Sequence, residues 1–190
     1  MKNTKIIGSF GLIIAAAVLL RLIPHMPNFA PVTGLALFSG AYLNKRIALI
    51  VPILIMIISD YLLLYIHPFG PNIFSFNQIY SPFSLVHSTT PYVWVSFMIS
   101  ALIGMWLKAH SKPTDIILAS VAASAQFFLI TNFGVWAEGS MYPKTVQGLM
   151  EAYIMGVPFF RNTMYGDLFY STIFFGTDAF IRRKTFHFAF

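Results

Sequence analysis

Cysteine is absent from all 190 residues, which excludes disulfides, thiol catalysis and thiolate metal ligands. Charge is scarce as well. Asp, Glu, Lys and Arg make up 9% of the chain, against about 25% in soluble domains, so an ordinary water-facing surface cannot be built. No His-Glu-x-x-His, Gly-x-Ser-x-Gly, phosphate-cradling Gly-rich loop or clustered carboxylate pair occurs, and His87-Ser88 has no third partner in view. The reading is therefore of a protein that is not an enzyme. No internal repeat and no low-complexity segment is present. What fills the chain is apolar: hydrophobic residues reach 57% and mean hydropathy is +0.73.

The few charges are sorted. Of the 12 Lys and Arg residues, Lys2 and Lys5 precede the first apolar run. Lys45 and Arg46 separate the second from the third, and Lys108 and Lys112 the fourth from the fifth. Arg182, Arg183 and Lys184 follow the sixth. Only Arg21, Lys144 and Arg161 remain for the other side. Short loops rich in Lys and Arg stay in the cytoplasm. The pattern predicts an all-α bundle of six transmembrane helices in one domain, 1–190, with both termini cytoplasmic. The expected spans are about 6–23, 31–43, 46–66, 91–107, 115–132 and 162–181. The net charge of +6 needs no nucleic acid, because positive-inside loops and anionic lipid headgroups account for it. The lipid bilayer is the partner that composition implies.

The N-terminal run resembles a signal peptide, with Lys2 and Lys5 before Ile6–Leu20 and small residues at Ala15, Ala16 and Ala17. It reaches Ile23, which is span length, so retention without cleavage is expected. Gly11 and Ala15 form a small-xxx-small pair suited to close helix approach. Pro24, Pro27 and Pro31 break the chain after it. The short second span carries Gly34, Ala36 and Gly40, which suggests a central or partly broken helix. Residues 67–90 hold no charge and are rich in Phe, Tyr and Pro, so they are expected to fold onto the bundle as a cap. Asp115 should support the start of the fifth span. Residues 133–161 are expected as a second outward loop. Within it, Thr145–Gly156 reads as an amphipathic, interfacial or re-entrant helix, with Val146, Leu149, Met150 and Tyr153 on one side, ended by Pro158.

The string Arg21 to Tyr42, RLIPHMPNFAPVTGLALFSGAY, is distinctive. So are Pro52 through Ser59-Asp60, Thr131-Asn132-Phe133-Gly134-Val135-Trp136, Tyr142-Pro143, and Pro158 through Thr163 with Gly166-Asp167. Together these resemble a family of small bacterial integral membrane proteins of unknown function, described as S-component-like. More distantly the layout is similar to the substrate-binding S components of energy-coupling-factor vitamin transporters. That resemblance implies outward loops after helices one, three and five that close over a ligand, here 24–30, 67–90 and 133–161. It also implies a partner, an energising module or other membrane subunit, docked through small residues of helix one. Gly11-xxx-Ala15 matches that motif loosely. Solitary S components that take cobalamin are part of the resemblance. Their cysteine ligand to cobalt has no counterpart here.

Charges inside a bilayer need partners or water. Arg21, Asp60, Arg161 and Asp167 are expected near the outward face. They form either a polar floor for a ligand or a cation, or two structural pairs, Arg21 with Asp60 and Arg161 with Asp167. Asp178 is expected to pair with Arg182 one turn on. His110 and His187 fall on the cytoplasmic side. His25, His67 and His87 face outward, as candidate ligands or as interfacial packing, and their spacing is no metal signature. Asn28, Asn132 and Asn162 flank the outward loops. Asn132 with Trp136, Glu138 and Tyr142 is the best composition for gripping a planar polar ligand, or else an interfacial aromatic belt. Met26, Met141, Met150, Met155 and Met164 read as adaptable packing. No metal and no cofactor is implied.

Three functions follow. The first is an S-component-like protein of the bacterial cytoplasmic membrane that captures and imports a vitamin or cofactor. Its candidate substrate-binding residues are Arg21, His25, Asn28, Asp60, His87, Asn132, Trp136, Tyr142, Arg161, Asn162 and Asp167. The second is a structural or assembly subunit of a membrane complex. The third, a membrane enzyme, has the least support.

Overall fold

A computed structural model describes residues 11, 14–23, 26–63 and 86–187, with side chains through 181. Among the described residues the chain forms six helices and no strand. Helix α1 covers 14–22, with Gly11 helical as well. It is followed by α2 (Val32–Tyr42), α3 (Lys45–Leu63), α4 (Thr90–Trp106), α5 (Pro113–Glu138) and α6 (Val146–His187). The cap expected over 67–90 falls outside the described residues except for 86–90, as do His25 and His67.

Helix α2 is the axis of the bundle. Every residue from Val32 to Gly40 is buried, and the helix packs against α3, α4, α5 and α6. A helix apolar on all sides belongs in an interior. Its small residues let four neighbours approach at once. Leu35, Leu37 and Ile55 are fully enclosed, and Ala101, Ala119 and Ala123 fill the narrow seams beside them.

The turns are set by local chemistry. The Asn44 side chain accepts from the Ile47 N–H at 3.0 Å and starts α3. This amide cap lets two residues join α2 to α3. Asp115 accepts from the Lys112 N–H at 3.2 Å, supporting the start of α5 as its position suggested. At the far end of α5, Lys144 Nζ donates to the carbonyls of Ala137 (2.9 Å) and Gly139 (2.6 Å), and also to that of Trp136. These are carbonyls a helix end leaves unpaired. Lys108 Nζ donates to the Leu43 carbonyl at 2.8 Å, tying the α2–α3 and α4–α5 turns together at one end. The opposite end carries Arg21 and Asp60.

Helices α5 and α6 overturn two expected boundaries. α5 runs to Glu138, not 132, and α6 is one helix of 42 residues that contains Pro158. The connection is therefore the short stretch 139–145, not a loop over 133–161, and Thr145–Gly156 is no separate interfacial helix. An internal proline costs about 3 kcal/mol through a lost N–H and a clash with the carbonyl four residues back. Packing on α5 to both sides of Pro158 offsets it. Tyr153 Oη donates to the Leu129 carbonyl at 3.0 Å, and Phe128 packs on Tyr153 and Phe160 at ring separations of 5.7 and 4.9 Å.

Two helices, Lys45–Leu63 and Pro113–Glu138, are long and apolar enough to cross a membrane. Their outer faces are apolar too: Ile47, Ile50, Leu54, Ile57 and Ile58 on α3, and Ile117, Leu118 and Leu129 on α5, are exposed.

Candidate functional site

Where α1, α3 and α5 end and α2, α4 and α6 begin, the helices part around a cavity of about 460 Å³. All six contribute to its wall. Arg21 comes from α1, Thr33 from α2, Met56 from α3, Phe97 from α4, Phe127 and Asn132 from α5, and Phe159 and Asp167 from α6. Its size falls within the range of about 300–1,000 Å³ of small-molecule sites, and its make-up of apolar walls with a few polar groups matches theirs.

Asp167 is the deepest polar group, 1% exposed. Its Oδ2 lies 2.7 Å from Ser124 Oγ on α5, and the Thr33 hydroxyl from α2 is a second donor to the carboxylate. Ser124 Oγ is also 3.0 Å from the Ser120 carbonyl. A hydroxyl has one proton, so Ser124 serves either its own helix or the carboxylate. No Lys or Arg pairs with Asp167 among the described residues. The backbone that frames it is tight: a Cβ on Gly166 would lie 3.1 Å from Phe29 Cα.

Arg21 sits on the cavity wall and pairs with Asp60, Nη1 to Oδ1 2.9 Å. The same Nη1 donates to Ser59 Oγ, whose hydroxyl can turn to the Ile55 or Met56 carbonyl. Two consecutive residues of α3 thus hold the guanidinium, and Asp60 compensates its charge. The two expected structural pairs fare differently. Arg21–Asp60 is present, whereas Arg161 is exposed and does not meet Asp167. Six residues apart on one unbroken helix, the two point about 120° apart.

The cavity brings together Arg21, Asn28, Asn132, Tyr142 and Asp167. Asn28 holds φ 63°, a left-handed turn that asparagine tolerates better than most residues. Asn132 Nδ2 donates to the Phe128 carbonyl at 2.9 Å, while its Oδ1 faces Gly156, where a Cβ would come within 2.4 Å. Other expected site residues stand outside. Trp136 Nε1 donates to the Pro143 carbonyl at 2.9 Å under the Lys144 ammonium, 5.7 Å from the ring. Glu138 accepts from Tyr92 Oη at 3.0 Å. Trp136 thus braces the α5–α6 turn and Glu138 ties the end of α5 to α4, so the expected Asn132–Trp136–Glu138–Tyr142 cluster divides. Asn162 Nδ2 donates to the Pro27 carbonyl at 3.0 Å, fastening α6 to the α1–α2 turn. His87 is exposed, its Nδ1 2.8 Å from Thr89 Oγ1. Among the described residues no three His, Asp or Glu side chains converge on a metal-binding point.

Sequence reasoning missed Ser124, Thr33, Met56, Phe97, Phe127 and Phe159. The signal lay in Ser120 and Ser124, and Ser96 and Ser100, each pair four apart on apolar helices. Asp178, expected to pair with Arg182, accepts from Tyr42 Oη at 2.8 Å; the Arg182 side chain lies outside those described.

No curated protein and no solved structure matches the chain. The model of a family of unknown function, DUF6580, matches residues 1–188, so the chain belongs to that family.

Proposed function

We propose that this chain is a multi-pass protein of the bacterial cytoplasmic membrane that binds a small molecule from the outward face and passes it inward, in the manner of an S component. The observation that carries the reading is the cavity of about 460 Å³ to which all six helices contribute. It lies at the Arg21 end. The Lys- and Arg-rich turns gather at the other end, which the positive-inside rule assigns to the cytoplasm. Exposed apolar faces on α3 and α5 suit lipid contact. The chain carries no nucleotide-binding motif, so ATP enters the scheme through an energising partner subunit.

A structural or assembly subunit is the second reading. It has no use for a cavity of this size, which favours the first. The test is to purify the protein from native membranes and identify copurifying small molecules by mass spectrometry. A single stoichiometric solute supports capture. Lipids alone, with no uptake phenotype in a deletion strain, shift the reading to a structural role.

A further inference from the structure

We infer that the cavity takes a small organic cation, an ammonium group on an apolar or aromatic body, with Asp167 as its counter-ion. This rests on the small-molecule reading above and names the class of ligand.

The charges around the cavity decide the sign. Two ionisable side chains of opposite charge, Arg21 and Asp167, reach the wall. Arg21 is already neutralised by Asp60 at 2.9 Å. Asp167 has no such partner among the described residues, and it is 1% exposed. The site therefore carries one uncompensated negative charge when its carboxylate is ionised. A buried carboxylate with only hydroxyl donors is poorly stabilised. A cation entering the cavity supplies what Ser124 and Thr33 cannot. An anion would meet in Arg21 a guanidinium whose charge Asp60 already offsets.

The walls decide the rest. Phe97, Phe127 and Phe159 present aromatic surface, and ring faces attract an ammonium group as well as its apolar body. Met56 and Met155 supply adaptable contacts. A bare metal ion would leave most of about 460 Å³ unfilled.

The experiment compares three probes of similar shape on the full chain in lipid nanodiscs: 2-phenylethylamine, 2-phenylethanol and 3-phenylpropionate. Binding is read by intrinsic tryptophan fluorescence and by the shift in thermal unfolding, at pH 7.5, with sodium chloride alone as a control. The amine should bind about tenfold or more tighter than the alcohol, and the anion weakest. Asp167→Asn should bring amine and alcohol to within about twofold of each other. The wild-type comparison needs no variant, so a poorly folding substitution leaves the test intact. Equal binding of amine and alcohol to the wild type overturns the proposal while leaving a neutral-solute cavity in place. Preference for the anion, or stabilisation by sodium and not by the amine, also overturns it. Absence of binding by all three removes the cation assignment, and copurification then decides separately whether the protein captures a solute at all.

Discussion

Gly40 of α2 and Gly104 of α4 bring two helix backbones into direct contact. A Cβ on Gly40 would stand 2.1 Å from the Ala101 carbonyl oxygen, and one on Gly104 2.2 Å from that of Leu37. The obstacles are main chain, not flexible side chain. Neither position can take even a methyl group unless the helices separate.

Gly40→Ala and Gly104→Ala should each destabilise the protein by about 2–4 kcal/mol, at or above the usual range for overpacking, because backbone must move. Thermal unfolding in detergent measures this. At Gly176 a Cβ meets nothing within 4 Å, so Gly176→Ala serves as the control and should leave stability within about 1 kcal/mol or raise it.

Arg21 and Asp60 should behave as a unit. Arg21→Met and Asp60→Asn should each lower stability, and the double variant should cost less than the sum of the two. A coupling on the order of 0.5–3 kcal/mol is expected for groups in one network. Additive effects would mean that the pair contributes nothing. Asp60→Asn also frees the guanidinium on the cavity wall, so it should weaken binding of 2-phenylethylamine and strengthen that of 3-phenylpropionate.

Gly156 sets the position of Asn132. In Gly156→Ala the new methyl group meets the Asn132 amide, Oδ1 at 2.4 Å. A side-chain amide can yield where a backbone cannot. The expected loss of stability is therefore about 1 kcal/mol, with a larger effect on ligand affinity, because Asn132 lines the cavity. Titration with 2-phenylethylamine in parallel with thermal unfolding separates the two effects.

The continuity of α6 through Pro158 has a direct ruler. Met150 and Ile173 are both exposed, and an unbroken helix places them about 34 Å apart at 1.5 Å per residue. Because the chain has no cysteine, the double variant Met150→Cys, Ile173→Cys takes spin labels only there. Pulsed electron resonance should return a single distance near that value. A markedly shorter distance would show a break at Pro158.

Some of this was legible in the sequence and some was not. Gly34, Ala36 and Gly40 pointed to a central α2 because small residues crowd where helices meet. The Arg21–Asp60 pair was legible because an unpaired charge among apolar helices is costly. Pro158 misled because the local rule for proline is strong, and only contacts 20 to 30 residues away, at Leu129 and Phe128, outweigh it. Trp136 misled for a related reason. Its composition suits a ligand, but Pro143 and Lys144 lie within reach and occupy it. Ser124 was invisible because a serine on a helix reads as a small packing residue until the carboxylate across from it is seen.

Helix α6, with 42 residues, is about 63 Å long, roughly twice the thickness of a bilayer's hydrocarbon core. Gly156 and Phe159 stand beside the cavity, Asp167 lies at its floor, and Asp178 is held by Tyr42 toward the far end. One continuous helix thus carries both the cavity wall and the contact with Tyr42. Whatever turns it about its long axis to withdraw Asp167 from the cavity must also swing Asp178 away from Tyr42. The two ends are geared to each other by a single shaft, so a rotation at one is a rotation at the other.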